Sequence, residues 1–289
     1  MTRSYYGQPV LKAPVWKWYV PAYFFTGGVA AGATLLATGA ALTGDRTLAR
    51  RCRLAALGAT AVSGGLLVKD LGRPARFLNM LRVAKLSSPM SIGSWVLAGF
   101  GSATAVAAAG EVAGLPRVVT APAEAVAAAL APVLATYTAV LIADTAVPAW
   151  RDAHRELPFV FAGSALASSA GLANLLAAPR RATRRAALIG AAVELAASGA
   201  MARRLGAEPA KAGLSRLAFG ATAAGAALSI GRRTAAVGGA LLLVGGAAKR
   251  FEIFHAGVGS ARDPSATIDP QRARVDSATP SRASLTTGS

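Results

Sequence analysis

From Trp18 onward the chain alternates between long apolar runs and short polar junctions rich in arginine. That rhythm predicts helices long enough to cross a bilayer, whose hydrocarbon core of about 30 Å takes about 20 helical residues. Eight runs meet or approach this length: Trp18–Thr43, about Cys52–Val68, Pro89–Gly110, Ala125–Pro148, Leu157–Ala178, Ala186–Ala202, Ala212–Ile230 and Thr234 to about Gly257. The connections are mostly short, so successive helices are expected to be antiparallel. Lys69–Ser88 and Pro148–Glu156 are the two longer ones. After Gly257 the chain turns to Ser, Thr, Arg, Asp and Pro, a composition with no core to build. The expected fold is therefore all-α, a polytopic integral membrane protein. It comprises an interfacial segment (1–17), a membrane domain of about eight helices (18–257) and a solvated tail (258–289).

Composition narrows the class. Hydrophobic residues make up 54% of the chain and charged residues only 15%, and alanine and glycine are abundant. Small residues in apolar runs suit helices that pack backbone to backbone in lipid. The net charge of +18 invites a nucleic-acid reading, but its distribution does not support one. Arg50-Arg51, Arg53, Arg180-Arg181, Arg184-Arg185, Arg203-Arg204 and Arg232-Arg233 sit at the ends of apolar runs, where they meet lipid headgroups. An even number of spans puts both termini on one side. That side holds about 20 Lys and Arg against about 11 on the other, so cytoplasmic termini are expected. Cys52 is the sole cysteine, which excludes an internal disulfide and a Cys-ligated iron–sulfur cluster or zinc site within this chain. The first apolar run has transmembrane length, so no cleavable signal peptide is expected.

Ionisable groups within membrane spans are costly and hence candidates for function. Glu194 lies near the middle of the sixth run, where a carboxyl either passes protons or pairs with an arginine to fix packing. Asp144 precedes the Pro148 break, with a proton path or a capping role as its alternatives. Asp70 opens the segment DLGRP among Lys69, Arg73 and Arg76, where a salt bridge is the plain alternative. A membrane haem needs histidines from the bodies of facing helices. His154 lies in a connection and His255 near a helix end, so no haem is expected. Trp16, Trp18, Tyr19, Tyr23, Phe24 and Phe25 crowd the entry to the first helix, either as an interfacial belt or as an aromatic mouth for a flat ring.

Three stretches resemble the NrfD, or polysulfide reductase membrane-subunit, family. They are YYGQPVLKAPVWKWYVPAYFFTGGVAAGA (Tyr5–Ala33), KDLGRPARFLNMLRVAKLSSPMSIGSW (Lys69–Trp95) and ADTAVPAWRDAHRELPFVFAGSA (Ala143–Ala165); the ending FEIFHAGVGSARDPSATIDPQR is similar to the tails of short members. Together they cover about a third of the chain, and the second is the most specific. The resemblance implies two four-helix bundles in the inner (cytoplasmic) membrane and no resident redox cofactor. It also implies an exchangeable quinone such as menaquinone. The implied partners are a four-cluster iron–sulfur subunit and a molybdopterin oxidoreductase subunit. It places Tyr23, Asp70 and Arg73 near the quinone headgroup; Asp144 and Glu194 are the candidates for a proton path, Glu194 on its burial in the run and not on a motif. Family members often carry an asparagine or histidine early in the first helix, and neither stands here.

A secondary transporter would share many helices and isolated carboxyls, but it would often show an inverted repeat, and none stands out. An inert anchor would have little reason to bear buried carboxyls. In the complex that the resemblance implies, the oxidoreductase subunit would determine the substrate.

Overall fold

The computed structural model of the chain describes residues 11–269, apart from 13, 74, 83, 86–87, 178, 207–211 and the side chain of Phe77. Residues 1–10 of the expected interfacial segment and 270–289 of the expected tail lie outside the described residues. Ten helices follow one another among the described residues: α1 (Tyr19–Leu42), α2 (Arg46–Leu71), α3 (Ala75–Met80), α4 (Pro89–Ala113), α5 (Arg117–Ala143), α6 (Pro148–Asp152), α7 (Leu157–Leu176), α8 (Arg181–Leu205), α9 (Ala212–Leu228) and α10 (Ala235–Arg262). Six of them, α1, α2, α4, α5, α7 and α8, are long and apolar enough to cross a membrane. α9 is 17 residues long, and α10 carries Lys249, Arg250 and Glu252 within its body.

Local chemistry sets the helix ends. Asp45 caps α2 by accepting from the Leu48 amide at 3.1 Å, which lets the helix begin at Arg46, ahead of the apolar run. It ends where Gly72 adopts φ 71°, a left-handed conformation that favours glycine. Pro89, with the Ser88 hydroxyl as N-cap, starts α4. Pro148 starts the short α6 instead of ending a longer helix. α10 continues to Arg262, beyond the expected end near Gly257.

The turns after α1, α4, α7 and α9 are short, so each pair is antiparallel and packs along its length. α1 also packs on α5, and α2 on α4. α7 packs on α10, and α1 and α5 pack on α7. Side chains confirm the directions. Gly28 and Gly32 of α1 approach Ala165 and Ser169 of α7, so these helices run parallel. Gly171 of α7 faces Gly239 of α10 while Phe161 faces Arg250, so that pair is antiparallel. One end of the molecule, the N-terminal face, thus gathers the starts of α1 and α7, the ends of α2, α8 and α10, and the short helices α3 and α6. The other end, the turn face, carries the four tight turns.

α6 is pinned at the N-terminal face. Trp150 is 1% exposed, stacks on Trp16 with ring centroids 5.7 Å apart, and donates from its indole N–H to the Ile253 carbonyl at 2.8 Å. Buried indoles require such a partner.

Candidate functional site

The N-terminal end of α1 delivers Tyr23 into the interior, where it is 4% exposed. Its hydroxyl lies 2.9 Å from the hydroxyl of Tyr137 on α5, and either oxygen can donate. Gly93 on α4 makes room for this contact, since a Cβ there would run into the Tyr137 ring. Both tyrosines line a cavity walled by Trp16, Tyr19 and Phe24 on one side and by Leu66, Leu67, Met90 and Leu141 on the other. Asp70, on the last turn of α2, lines the same cavity. The structure therefore brings Tyr23 and Asp70 together. Arg73 stands beyond Gly72, exposed and outside that lining. No ion pair joins Asp70 to Lys69, Arg73 or Arg76 among the described residues. Lys69 instead lies over the rings of Trp18 and Tyr19, 5.1 and 5.9 Å from their centroids.

Asp144 caps the C-terminus of α5 at the N-terminal face and is exposed. Glu194 lies elsewhere, 1% exposed on α8. Thr222 of α9 donates to its Oε1 at 3.4 Å, and Ser164 of α7 lies alongside. Arg250 and Lys249 of α10 act on it electrostatically. Arg250 is itself 1% exposed; it donates to the Phe161 carbonyl at 2.9 Å and lies 3.7 Å over the Phe161 ring. Lys249 pairs with Glu252 at 2.7 Å.

Sequence reasoning missed three groups here. Tyr137 reads as one more large residue in an apolar run. Lys249-Arg250 goes unnoticed although it falls inside the last expected run, and α10 carries the pair through its core. Arg53 reads as part of a headgroup cluster with Arg50 and Arg51. Its helical position instead turns it inward, where it forms ion pairs with Glu111 on α4 and, at 2.7 Å, with Glu124 on α5. This network lines a cavity of about 260 Å³ towards the turn face, beside Thr34, Thr38 and Thr104. The signal available was the pair of carboxylates, Glu111 and Glu124, bracketing the same turn.

Outside the spans, Arg204 grips Glu156 with a two-pronged contact, both bonds 2.6 Å, and holds its carboxyl below the usual carboxylate range.

No curated protein matches the chain. The family pattern described as polysulphide reductase, NrfD, matches residues 8–199. That stretch contains α1 to α7 and most of α8, including Tyr23, Asp70, Tyr137 and Glu194. With about two thirds of its length matched, this all-helical chain belongs to the NrfD polysulphide reductase family.

Proposed function

We propose that the chain is the quinone-reactive membrane subunit of a multi-subunit oxidoreductase in the cytoplasmic membrane. It carries no catalytic centre of its own and passes electrons between a four-cluster iron–sulfur subunit and the quinone pool. A molybdopterin subunit handles the substrate. In this reading α9 and α10 also cross the bilayer, giving eight spans in two four-helix bundles, α1-α2-α4-α5 and α7 to α10. The contacts within each group, together with the antiparallel order of their helices, support that arrangement.

One observation carries the reading: Tyr23, Tyr137 and Asp70 converge on one aromatic-walled cavity at the N-terminal face, within the family match. The lining suits a quinone headgroup in its chemistry, and the cavity, about 90 Å³, widens to admit one. Two hydroxyls able to donate stand at one end, apolar and aromatic walls flank the ring plane, and a carboxyl sits at the mouth. A bound quinone supplies two-electron, two-proton redox chemistry. The tyrosine hydroxyls orient a ring carbonyl by hydrogen bonding, and Asp70 holds or moves the proton there. Arg73, one turn away on the surface, adds positive potential near the mouth. Asp144 and Glu194 serve the proton path, Asp144 at the surface and Glu194 within the second bundle.

Asp70→Asn tests this directly, because it keeps the shape and removes the proton-accepting charge. Quinol-linked turnover is expected to fall at least a hundredfold, while the protein stays in the membrane with its partners. Unchanged turnover would remove Asp70 from the site. Repeated purification of the chain alone, from membranes that express iron–sulfur and molybdopterin partners, would favour the transporter reading instead.

A further inference from the structure

A cavity of about 610 Å³ lies between α6, α8, α9 and α10. Ala149, Ser260 and Asp263 line its outer part at the N-terminal face, and Leu195, Ser198, Lys249 and Glu252 line its depth. The side chains of Lys249 and Glu252 are only 5% and 14% exposed. Ser198 Oγ on this wall is buried without a partner among the described residues. An unpaired buried polar group costs about 1–3 kcal/mol, and more when charged. Hydrocarbon supplies no partner, whereas water in a roomy cavity with several convergent polar groups does. Glu194, outside the lining itself, stands one turn before Ser198 on the same face of α8, and Lys249 on the wall acts on it electrostatically.

Towards the turn face α10 closes on α9 and α7, and Gly190 of α8 closes on Ala167 of α7. A Cβ built on Gly225 of α9 would lie 2.8 Å from the Gly238 carbonyl oxygen of α10. One on Gly171 of α7 would lie 2.5 Å from the Gly239 carbonyl oxygen. Such backbone-to-backbone packing leaves no space for water.

We propose that this cavity is a one-sided aqueous vestibule, through which Glu194 exchanges protons with the N-terminal face alone. The proposal rests on Glu194 being a proton carrier and adds the route and the face. In the exchange a hydronium ion gives its proton to the Glu194 carboxylate and becomes water, and the reverse step returns it. Lys249 and Glu252 form the polar floor. Arg250 from α10, Thr222 from α9 and Ser164 from α7 complete the surroundings of the carboxyl. Protons reaching Glu194 therefore enter and leave on the side that carries the Tyr23 cavity.

Cysteine accessibility tests this. With the only cysteine removed as Cys52→Ser, single cysteines are placed on the cavity wall as Gly199→Cys and Leu195→Cys in the full chain. A Cβ at position 199 meets only an Arg203 nitrogen, 3.8 Å away, so this variant is expected to fold, and the deeper Leu195→Cys probes independently. Ala75→Cys marks the N-terminal face and Thr43→Cys the turn face, both positions being exposed. Sealed vesicles of both orientations are treated with a charged, membrane-impermeant methanethiosulfonate. Both wall cysteines are expected to react at least tenfold faster from the side that labels Ala75→Cys than from the side that labels Thr43→Cys. Reaction from the Thr43→Cys side, or reaction from neither side in protein retained in the membrane, overturns the vestibule. Loss of turnover in Glu194→Gln alongside absent labelling would leave Glu194 a role without this route. Normal turnover in Glu194→Gln with labelling intact would overturn Glu194 as the group served.

Discussion

Tyr23 meets Tyr137 hydroxyl to hydroxyl beside Asp70, whereas Glu194 is set among Arg250, Lys249 and Thr222 on the other side of α1. Both sites bury polar atoms in a helical membrane domain, but they do so with different consequences. A pair of hydroxyls is neutral, and either member can donate, so the pair can re-form around a new acceptor at little cost. A carboxylate among cations carries its desolvation penalty at all times and depends on its neighbours to offset it. The first arrangement suits a site that exchanges a neutral ligand. The second suits one whose occupancy by a proton must be held against its surroundings.

The sharpest way to break the comparison is Arg250→Leu. It strips the buried carboxyl of the cation that acts on it most strongly and also removes the bond to the Phe161 carbonyl. Breaking a direct buried ion pair costs about 3–5 kcal/mol; no direct pair joins Glu194 to Arg250 among the described residues, so unfolding in mixed micelles should shift by less than that. Replacing both groups, as Glu194→Gln with Arg250→Met, should recover most of the loss, because no uncompensated charge remains. A single variant as stable as the parent would show that the cluster is not coupled.

The tyrosine pair predicts a smaller effect. Tyr137→Phe removes one hydroxyl–hydroxyl bond, worth about 0.5–1.5 kcal/mol net, and Tyr23→Phe removes the same bond. The double variant should therefore lose little more than either single one, a coupling readable in a double-mutant cycle. Strict additivity would mean that the two hydroxyls act separately, and the neutral half of the comparison would fail.

How much of this was legible beforehand follows from the same contrast. Apolar runs announce helices through length alone, so each predicted run has a helix at its place. Their ends were harder, because caps lie in polar sequence: Asp45 extends α2 back to Arg46, and α5 starts at Arg117, ahead of the expected Ala125. Pro122 does not stop it. As the sixth residue of α5 it removes the amide that would bond to the Val118 carbonyl, a loss that helices packed in a membrane tolerate. Tyr23 and Asp70 could be singled out from their sequence context. Their sharing of one cavity could not, since it depends on α4 and α5 bringing Gly93 and Tyr137 against them. Glu194 was visible as an isolated charge. Arg250 was not, because its burial depends on α7 bringing Phe161 against it.

The Glu156–Arg204 pair at the N-terminal face offers the same chemistry in water, and so the smallest and most condition-dependent effect. Arg204 holds the Glu156 carboxyl below its ordinary range. A carboxyl with a lowered folded-state pKa adds stability above its unfolded value of about 4.3. That stability is lost as pH falls through the lower folded-state value. Arg204→Met should therefore destabilise the protein slightly at neutral pH, and the difference from the parent should vanish in acid. Raising salt from 0.15 to 1 M shortens the screening length from about 8 to about 3 Å, and should shrink the same difference at neutral pH. The loss caused by Arg250→Leu should shrink less in high salt, because Arg250 is 1% exposed and lies outside the cavity lining. If both losses faded together on a salt titration, the Glu194 cluster would be exposed to bulk ions and the contrast between the two kinds of charged site would not hold.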